Sequence, residues 1–151
     1  MCSSDRSIAQ MCDLRVASED AQLGISETKW SLLPPFGTIL PKMISLPAVL
    51  ELVFTAAPIS AQRAYEIGFV NRVVPADKLM EEAMALANQI AENAPLAVQA
   101  FKELAYRGQN MSTQDISALT YHMYDQLLTT EDSKEGPKAF AEKRKPVWKG
   151  R

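Results

Sequence analysis

The pattern of apolar and polar residues changes from alternating to helical along this chain. Residues 14–18 and 21–25 alternate between apolar and polar positions, which is typical of short half-buried strands, and Glu19-Asp20 between them suits a turn. Residues 69–74 alternate more loosely and predict one further extended segment. After residue 45 most apolar residues instead recur at the three- and four-residue spacing of amphipathic helices. The pattern therefore predicts part of an α/β core joined to a helical region.

Serine and proline residues mark where the predicted helices begin. A serine side chain can accept a hydrogen bond from the free N–H groups of a first helical turn, and proline is tolerated there because those groups lack partners. Gly108 favours the end of a helix, and a short helix is predicted within residues 3–12. Further helices are predicted to begin near these residues: Ser45, Ser60, Asp77, Pro95 and Ser112.

The charge balance argues against nucleic acid as a partner. The chain has 16 basic and 18 acidic side chains, and its one dense basic cluster, residues 143–145, lies close to the C-terminus. A nucleic-acid binder usually presents a basic stripe. The sequence also lacks an uncharged apolar run of helix length, so that no membrane partner is expected. A hydrophobic share of 47% indicates a globular chain rather than a disordered one.

Cysteine and histidine are too sparse for a typical metal centre. Cys2 and Cys12 do not form a CxxC pair, and His122 is the single histidine. Because a zinc site needs about four such ligands, no metal is expected. Two free thiols favour a cytoplasmic location. Any chemistry would therefore fall to carboxylates or backbone groups.

Four blocks of residues, in one order along the chain, resemble the signatures of a single enzyme superfamily. The first block joins a Cys-Asp pair and a strand to Glu27, and the second ends at Pro75. The blocks read MCDLRVA with AQLG, ISA with GFV and VVP, NAPLA, and finally EG, AF, EKR, P and W between residues 135 and 148. On these residues the chain resembles the enoyl-CoA hydratase/isomerase, or crotonase, superfamily from about residue 8 to its end.

The resemblance implies an α/β fold of the crotonase-like (ClpP/crotonase) type, a spiral of ββα turns. Residues 1–75 would be the C-terminal part of that core, and residues 76–151 a helical region used for trimerisation and as a lid over the coenzyme A site. The family usually assembles as trimers or hexamers. It also implies a coenzyme A thioester as substrate, with no permanently bound cofactor. Family members are about twice as long and hold the thioester oxygen with two backbone N–H groups.

The resemblance assigns roles to particular residues. Glu27 matches the family's second catalytic glutamate and follows a strand, from which a side chain can project into a pocket; local sequence alone also allows a surface glutamate in a Ser-Glu-Thr turn. Ser4 falls where a glycine supplies one oxyanion N–H, and Ser7 where hydratases have their first catalytic glutamate. Pro35 stands where hydratases commonly have a glycine near the catalytic water. A lone carboxylate suits double-bond isomerisation, whereas hydration normally needs two.

At the other end of the chain, Phe140 and Lys143 match positions that reach toward the coenzyme A nucleotide, often across a subunit boundary. The alternative is a solvated basic end in which Phe140 anchors a helix. His122 is expected to pack or to face solvent rather than to act as a base. Cys12 belongs to the first block and is expected to be buried. Trp30 and the tyrosines are expected in the core or at an interface.

Three functional hypotheses follow from these observations. The first is an acyl-CoA-processing enzyme of the hydratase/isomerase type, which stabilises a thioester enolate and moves protons with Glu27. The second is a non-catalytic or truncated crotonase-like assembly protein, and it is favoured by Ser7 and Pro35. The third is RNA binding, against which the acidic balance argues.

Overall fold

The computed structural model describes Ala9, residues 11–34 and residues 37–151. The chain divides into two compact units, residues 1–85 and residues 86–151. Among the described residues, strands occur only in the first unit, and the second unit is helical. The structure thus has the mixed α/β and helical content that the pattern predicts, and none of its described helices is long and apolar enough to cross a membrane.

Four short strands form two separate pairs in the first unit. β1 (Val16–Ser18) runs parallel to β4 (Arg72–Val74), with Ala17 opposite Val73. β2 (Gln22–Leu23) runs antiparallel to β3 (Ile59–Ser60). The two strands predicted near the N-terminus and the extended segment near residue 70 are confirmed. The first two strands do not pair with each other, however, because the turn at residues 19–20 sends the chain into a different sheet.

The helices of the first unit begin where serines predict them. α1 spans Leu46–Thr55 after Ser45, and α2 spans Ala61–Glu66 after Ser60. The Ser60 side chain accepts a hydrogen bond from the backbone N–H of Arg63, whereas Ser45 makes no such bond. The second residue of α1 is Pro47, which has no N–H to offer Ser45. The described part of this unit also contains three 3₁₀ helices: Glu27–Trp30, Gly37–Lys42 and Ala76–Lys78.

The hydrophobic core of the first unit lies between α1, α2 and the strands. Leu40 is its most enclosed large side chain, with 1% of its surface exposed. Ile25 connects this core to the 3₁₀ helix that begins at Glu27. The buried cluster contains the following residues: Ile25, Leu40, Ile44, Ala48, Val49, Leu52, Ala64, Phe69 and Val70.

The second unit is built from helices. α3 (Leu79–Ala91) crosses from the first unit into the second and is followed by α4 (Pro95–Gly108), α5 (Thr113–Leu128) and α6 (Glu131–Ala141). Of these helices, α4 packs against α5 and α5 against α6. The starts predicted at Pro95 and Ser112 and the end at Gly108 are confirmed. The start of α6 is capped by the Thr130 side chain, a signal that the apolar spacing does not carry.

Cys12 is exposed, and the expectation that it is buried is wrong. The residue follows Met11, the last helical residue near the N-terminus, and lies in a bend before β1. Trp30 is also exposed, over 74% of its surface, so it is not part of this chain's own core. A role for Trp30 at an interface stays a prediction.

Candidate functional site

Glu27 is a half-buried carboxylate at the start of a short 3₁₀ helix that follows β2. Its backbone carbonyl accepts hydrogen bonds from Ser31 and Leu32, which closes the turn. No described side chain forms a hydrogen bond or ion pair with its carboxylate. The backbone of Glu27 is therefore fixed by the turn, while its carboxylate oxygens carry no hydrogen bond from a described side chain.

Two contacts on either side fix the backbone of Glu27. Ile25 is buried in the core, with 5% of its surface exposed. The Thr28 hydroxyl donates a 2.8 Å hydrogen bond to the carbonyl oxygen of Val53 in α1. Because these anchors lie two residues before and one residue after Glu27, the 3₁₀ helix cannot shift without disturbing the core or α1.

Gly24 adds a third constraint, upstream of the same turn. A Cβ atom at this position would lie 3.1 Å from the Cα atom of Pro58. The neighbour is backbone rather than a flexible side-chain tip, so a larger residue would push the two segments apart. The absence of a side chain at Gly24 lets the strand that leads to Glu27 approach the start of β3 closely.

Three predicted site residues, Ser4, Ser7 and Pro35, lie outside the described residues. The neighbouring described residues are Ala9 and Met11, which are helical, and Pro34. The roles that the resemblance implies for the three residues therefore stay predictions.

Arg15 connects the end of this N-terminal helical turn to β4, and the sequence analysis does not single it out. Its guanidinium donates to the backbone carbonyls of Ala9 at 3.3 Å, Cys12 at 2.5 Å and Phe69 at 2.5 Å. The guanidinium carbon also lies 4.7 Å from the centre of the Phe69 ring. The Asn71 side chain accepts a 2.8 Å hydrogen bond from the Arg15 backbone N–H. No spacing rule reveals the contacts with Phe69 and Asn71, because these partners are more than fifty residues away in the chain.

Phe140 and Lys143 lie next to each other at the C-terminal end of α6, in the second unit. The Phe140 side chain is 87% exposed. Lys143 is exposed and has a left-handed backbone, φ 54°, and its N–H donates a 3.2 Å hydrogen bond to the Phe140 carbonyl. The two backbones are therefore adjacent and both side chains are exposed, while a role in nucleotide binding stays a prediction. Glu27 belongs to the first unit.

A charged cleft of about 440 Å³ runs beside α6. Within it, Arg144 donates to both carboxylate oxygens of Glu135, at 2.5 and 2.9 Å, and the Val147 N–H donates to the same carboxylate at 2.8 Å. The Arg144 guanidinium, followed by the Val147 N–H, lowers the pKa of Glu135 from 4.5 to about 2. This carboxylate is therefore a structural anion and is unsuited to accept protons at neutral pH. The cleft is lined by Glu131, Asp132, Lys134, Glu135, Lys138, Arg144, Val147 and Lys149.

The other carboxylates of the α6 cleft hold the C-terminal segment. Asp132 is buried, with 4% of its surface exposed. Its carboxylate accepts hydrogen bonds from the backbone N–H groups of Lys149, at 2.7 Å, and Gly150, at 2.9 Å. Glu131 pairs with the Lys149 ammonium at 2.8 Å, which lowers the pKa of Glu131. These bonds fasten residues 149–151 across the first turn of α6, so the cleft is a structural clamp.

No group of three or more histidine, cysteine, aspartate or glutamate side chains that could hold a metal ion is present in the described part of the chain. His122 lies exposed on α5. A second cavity, of about 350 Å³, lies beside β4 in the first unit. Its two charged side chains, Arg72 and Glu82, pair with each other. The role of Glu27 in proton transfer stays a prediction.

Comparison with known proteins supports one family. The sequence profile of the family described as enoyl-CoA hydratase/isomerase matches residues 6–151. A carnitinyl-CoA dehydratase of Salmonella typhi is 40% identical over 150 residues, which cover 95% of this chain and 58% of that protein. The chain thus spans somewhat more than half the length of the curated relatives it matches.

Superposition on solved structures supports the same family at the level of the fold. The enoyl-CoA hydratase of Mycobacterium tuberculosis H37Rv superimposes with a TM-score of 0.93 at 34% identity, covering 99% of this chain and 60% of that one. The enoyl-CoA hydratase of Bacillus anthracis superimposes with a TM-score of 0.92 at 37% identity, covering 97% of this chain and 57% of that one. This chain therefore belongs to the enoyl-CoA hydratase/isomerase family, and it has the crotonase-like fold over the part of the domain that it spans.

Proposed function

We propose that this chain, in the assembly it forms, processes acyl-CoA thioesters by stabilising an enolate while Glu27 moves protons at the carbons near the carbonyl. The observation that carries the proposal is the state of Glu27. It is a half-buried carboxylate on a rigidly anchored 3₁₀ helix, with no described side chain bound to its oxygens. Such a group can act as a general base and return the same proton as an acid.

The chemistry open to one carboxylate is the shift of a double bond. Glu27 would take a proton from the carbon between the double bond and the thioester carbonyl, and the electron pair would move onto the thioester oxygen. Two backbone N–H groups, one of them from Ser4, would stabilise the resulting enolate. Glu27 would then return the proton to a different carbon. Ser7 stands where hydratases have their first catalytic glutamate, and serine cannot serve as an equivalent base without a partner to activate it.

Addition or removal of water is the second reaction to be tested. The relatives bear the names of an enoyl-CoA hydratase and a carnitinyl-CoA dehydratase, which describe the same kind of step in opposite directions. The resemblance assigns Pro35 to a position where hydratases commonly have a glycine near the catalytic water, and proline has no backbone N–H to donate there. Comparing two substrates, one for each reaction, would separate the alternatives.

Phe140 and Lys143 would bind the nucleotide end of coenzyme A. An exposed ring can stack on adenine and an exposed ammonium can pair with phosphate. Exposed apolar side chains on the helices, such as Phe101 and Tyr121 at 73% and 71%, would be covered in a homo-oligomer, a trimer or a hexamer. The proposed assembly would then complete sites that a single chain leaves open.

The decisive experiment follows enoyl-thioester absorbance with the purified assembly. A short-chain 2-enoyl-CoA loses its conjugation on hydration, whereas a 3-enoyl-CoA gains it on isomerisation. Glu27→Gln should abolish both signals. Glu51→Gln removes a carboxylate that is 64% exposed on α1 and should leave them unchanged.

A folded and assembled protein that turns over neither substrate would refute the enzymatic proposal. Such a result would favour the alternative, a non-catalytic or truncated crotonase-like assembly protein, to which the serine at position 7 also points. Equal activity in wild type and Glu27→Gln would assign the chemistry to another residue.

A further inference from the structure

We propose that Arg144 is a positioning residue, which holds Lys143 in a strained left-handed backbone conformation and thereby fixes the place from which the Lys143 ammonium binds the nucleotide phosphates of coenzyme A. The inference deepens the proposed function and rests on it, since that proposal assigns the nucleotide contact to Lys143. All the residues that carry the inference are described and belong to the second unit.

The hydrogen bonds that end α6 require a left-handed residue at position 143. The Lys143 N–H donates to the Phe140 carbonyl at 3.2 Å, and the Arg144 N–H donates to the Ala139 carbonyl at 3.1 Å. This pair of bonds is the Schellman motif, whose left-handed position is usually occupied by glycine. Lys143 occupies it here with a φ of 54°. A lysine therefore stands where the backbone favours glycine.

The same pair of hydrogen bonds occurs twice in the first unit. It closes α2 at Gly68, whose φ is 81°, and the 3₁₀ helix that begins at Glu27 at Ser31, whose φ is 57°. Glycine adopts this conformation without steric cost, whereas serine and lysine carry a Cβ atom and are strained in it. Strain of this kind persists only where the surrounding structure fixes the backbone. Lys143 therefore needs a neighbour that holds it.

The Arg144 guanidinium supplies that constraint directly after Lys143. It donates to both oxygens of the Glu135 carboxylate, at 2.5 and 2.9 Å, and to Glu142 at 2.6 Å. The Glu135 carboxylate also accepts the Val147 N–H at 2.8 Å. Because the Glu135 and Arg144 side chains are only 20% and 35% exposed, solvent screens this pair less than a fully exposed one. The segment that follows Lys143 is therefore tied back onto α6.

The three consecutive basic residues after α6 differ in their partners. Arg144 is bound to α6, and Lys145 pairs with Glu92 at 2.9 Å. The Lys143 ammonium forms no hydrogen bond or ion pair with any residue that the structure describes. Lys143 is therefore the cation of this group that is available to an anionic ligand, and a phosphate group is such a ligand.

Lys143→Gly separates the strain of the conformation from the use of the side chain. Glycine relieves the strain, so Tm should rise by about 1–4 °C. The dissociation constant for coenzyme A should nevertheless rise about tenfold, because the ammonium is lost. Lys143→Gln is the matched control, which should weaken binding equally without the gain in Tm. Calorimetric titration with coenzyme A and thermal unfolding of the purified assembly measure both effects, and an unaltered affinity or a lower Tm in Lys143→Gly would overturn the proposal.

Substitutions of Arg144 test whether it acts through Lys143. Arg144→Ala should weaken coenzyme A binding about 5- to 10-fold, with Arg144→Lys intermediate because a point donor cannot replace the planar fork. In the Lys143→Gln background, Arg144→Ala should weaken binding by less than about twofold further, since the ammonium that it positions is already gone. Arg107→Ala removes an exposed arginine that pairs with Glu103 on α4 and should bind as wild type does. Additive losses in the double variant would overturn the proposal, and Arg144→Lys replaces Arg144→Ala in this test if the alanine variant does not fold.

Kinetics distinguish this inference from the proposed function. With a short-chain enoyl-CoA, Arg144→Ala should raise KM about 5- to 10-fold and change kcat by less than about threefold. With the corresponding pantetheine thioester, which lacks the nucleotide, both constants should match those of wild type. Equal losses with the two substrates would show a general structural defect and overturn the positioning role. Wild type that binds coenzyme A without turnover would count against the proposed function alone, whereas wild type that does not bind coenzyme A would overturn both.

Discussion

The Thr28 hydroxyl donates a 2.8 Å hydrogen bond to the carbonyl oxygen of Val53, which joins the 3₁₀ helix that begins at Glu27 to α1. Val53 packs against the hydrophobic core. The bond therefore links the 3₁₀ helix that carries Glu27 to a helix packed on the core. The backbone of Glu27 is thus anchored by the adjacent Thr28, a residue to which no chemical role is assigned.

Thr28→Val should lower the free energy of unfolding by about 1–2 kcal/mol, since it removes the donor and leaves the Val53 carbonyl unpaired without changing side-chain shape. Under the proposed function it should also lower kcat, because Glu27 loses an anchor. Thr120→Val is the matched control, since the Thr120 hydroxyl bonds only within its own helix, to the Ile116 carbonyl. Denaturant unfolding and initial rates measure both effects. A larger loss of stability in Thr120→Val would contradict the linking role of Thr28.

Two serines that precede helices should respond differently to removal of the hydroxyl. Ser60→Ala should lower the free energy of unfolding by about 1 kcal/mol, because the Ser60 oxygen accepts the Arg63 N–H at 3.1 Å. Ser45→Ala should cost much less, because the Ser45 side chain makes no capping bond and Pro47 offers no N–H. Thermal or denaturant unfolding of the two variants provides the comparison. Equal costs would show that the capping bond at Ser60 contributes nothing measurable.

Asp132→Asn should destabilise the second unit by about 2 kcal/mol. The buried carboxylate accepts two backbone N–H groups, from Lys149 and Gly150. An asparagine has one acceptor oxygen, and its amide NH₂ would face the other N–H. Limited proteolysis of the C-terminal segment and unfolding curves should both report the change. Asp125→Asn, an exposed change on α5, serves as the control and should leave both measurements as in wild type.

The Glu135–Arg144 pair should make stability depend on acid pH. The pKa of Glu135 is lowered from 4.5 to about 2 in the folded chain by the Arg144 guanidinium and the Val147 N–H. Since the folded pKa is the lower one, the pair stabilises the fold fully above about pH 4.5, and this contribution is lost as the pH falls from 4.5 toward 2. Glu135→Gln and Arg144→Gln should each flatten the curve of Tm against pH in that window. A double variant that flattens the curve further than either single one would argue against a shared interaction.

The local elements of this chain follow from local sequence with few exceptions. Ser60, Pro95 and Ser112 mark helix starts correctly because capping depends on atoms within one turn. The apolar pattern does not predict the start of α6, because the helix begins with charged residues. These residues bind the C-terminal segment and do not pack in a core. Cys12 shows the converse error, since membership in a signature block does not report exposure.

The candidate site could be predicted only in part. Glu27 is identified by its resemblance to a family motif, and the structure adds the anchors Ile25 and Thr28 that local sequence does not reveal. The sequence does not identify Arg15, because the acceptors of its guanidinium are backbone carbonyls, and every residue type carries a backbone carbonyl. A pattern of side-chain types therefore cannot predict a hydrogen-bond acceptor of this kind.

The sequence by itself determined most of the strands and helices, although not β3 or the start of α6, together with the family and the identity of the candidate carboxylate, since these depend on neighbours within a few residues or on motifs. Only the tertiary structure decided that β1 pairs with β4 and β2 with β3, and that Arg15 joins the N-terminal turn to Phe69. The physical reason is that strand pairing and backbone hydrogen bonds use groups common to all residues. Which of these groups pair with each other depends on how the core packs, and the core is packed only when the whole chain has folded.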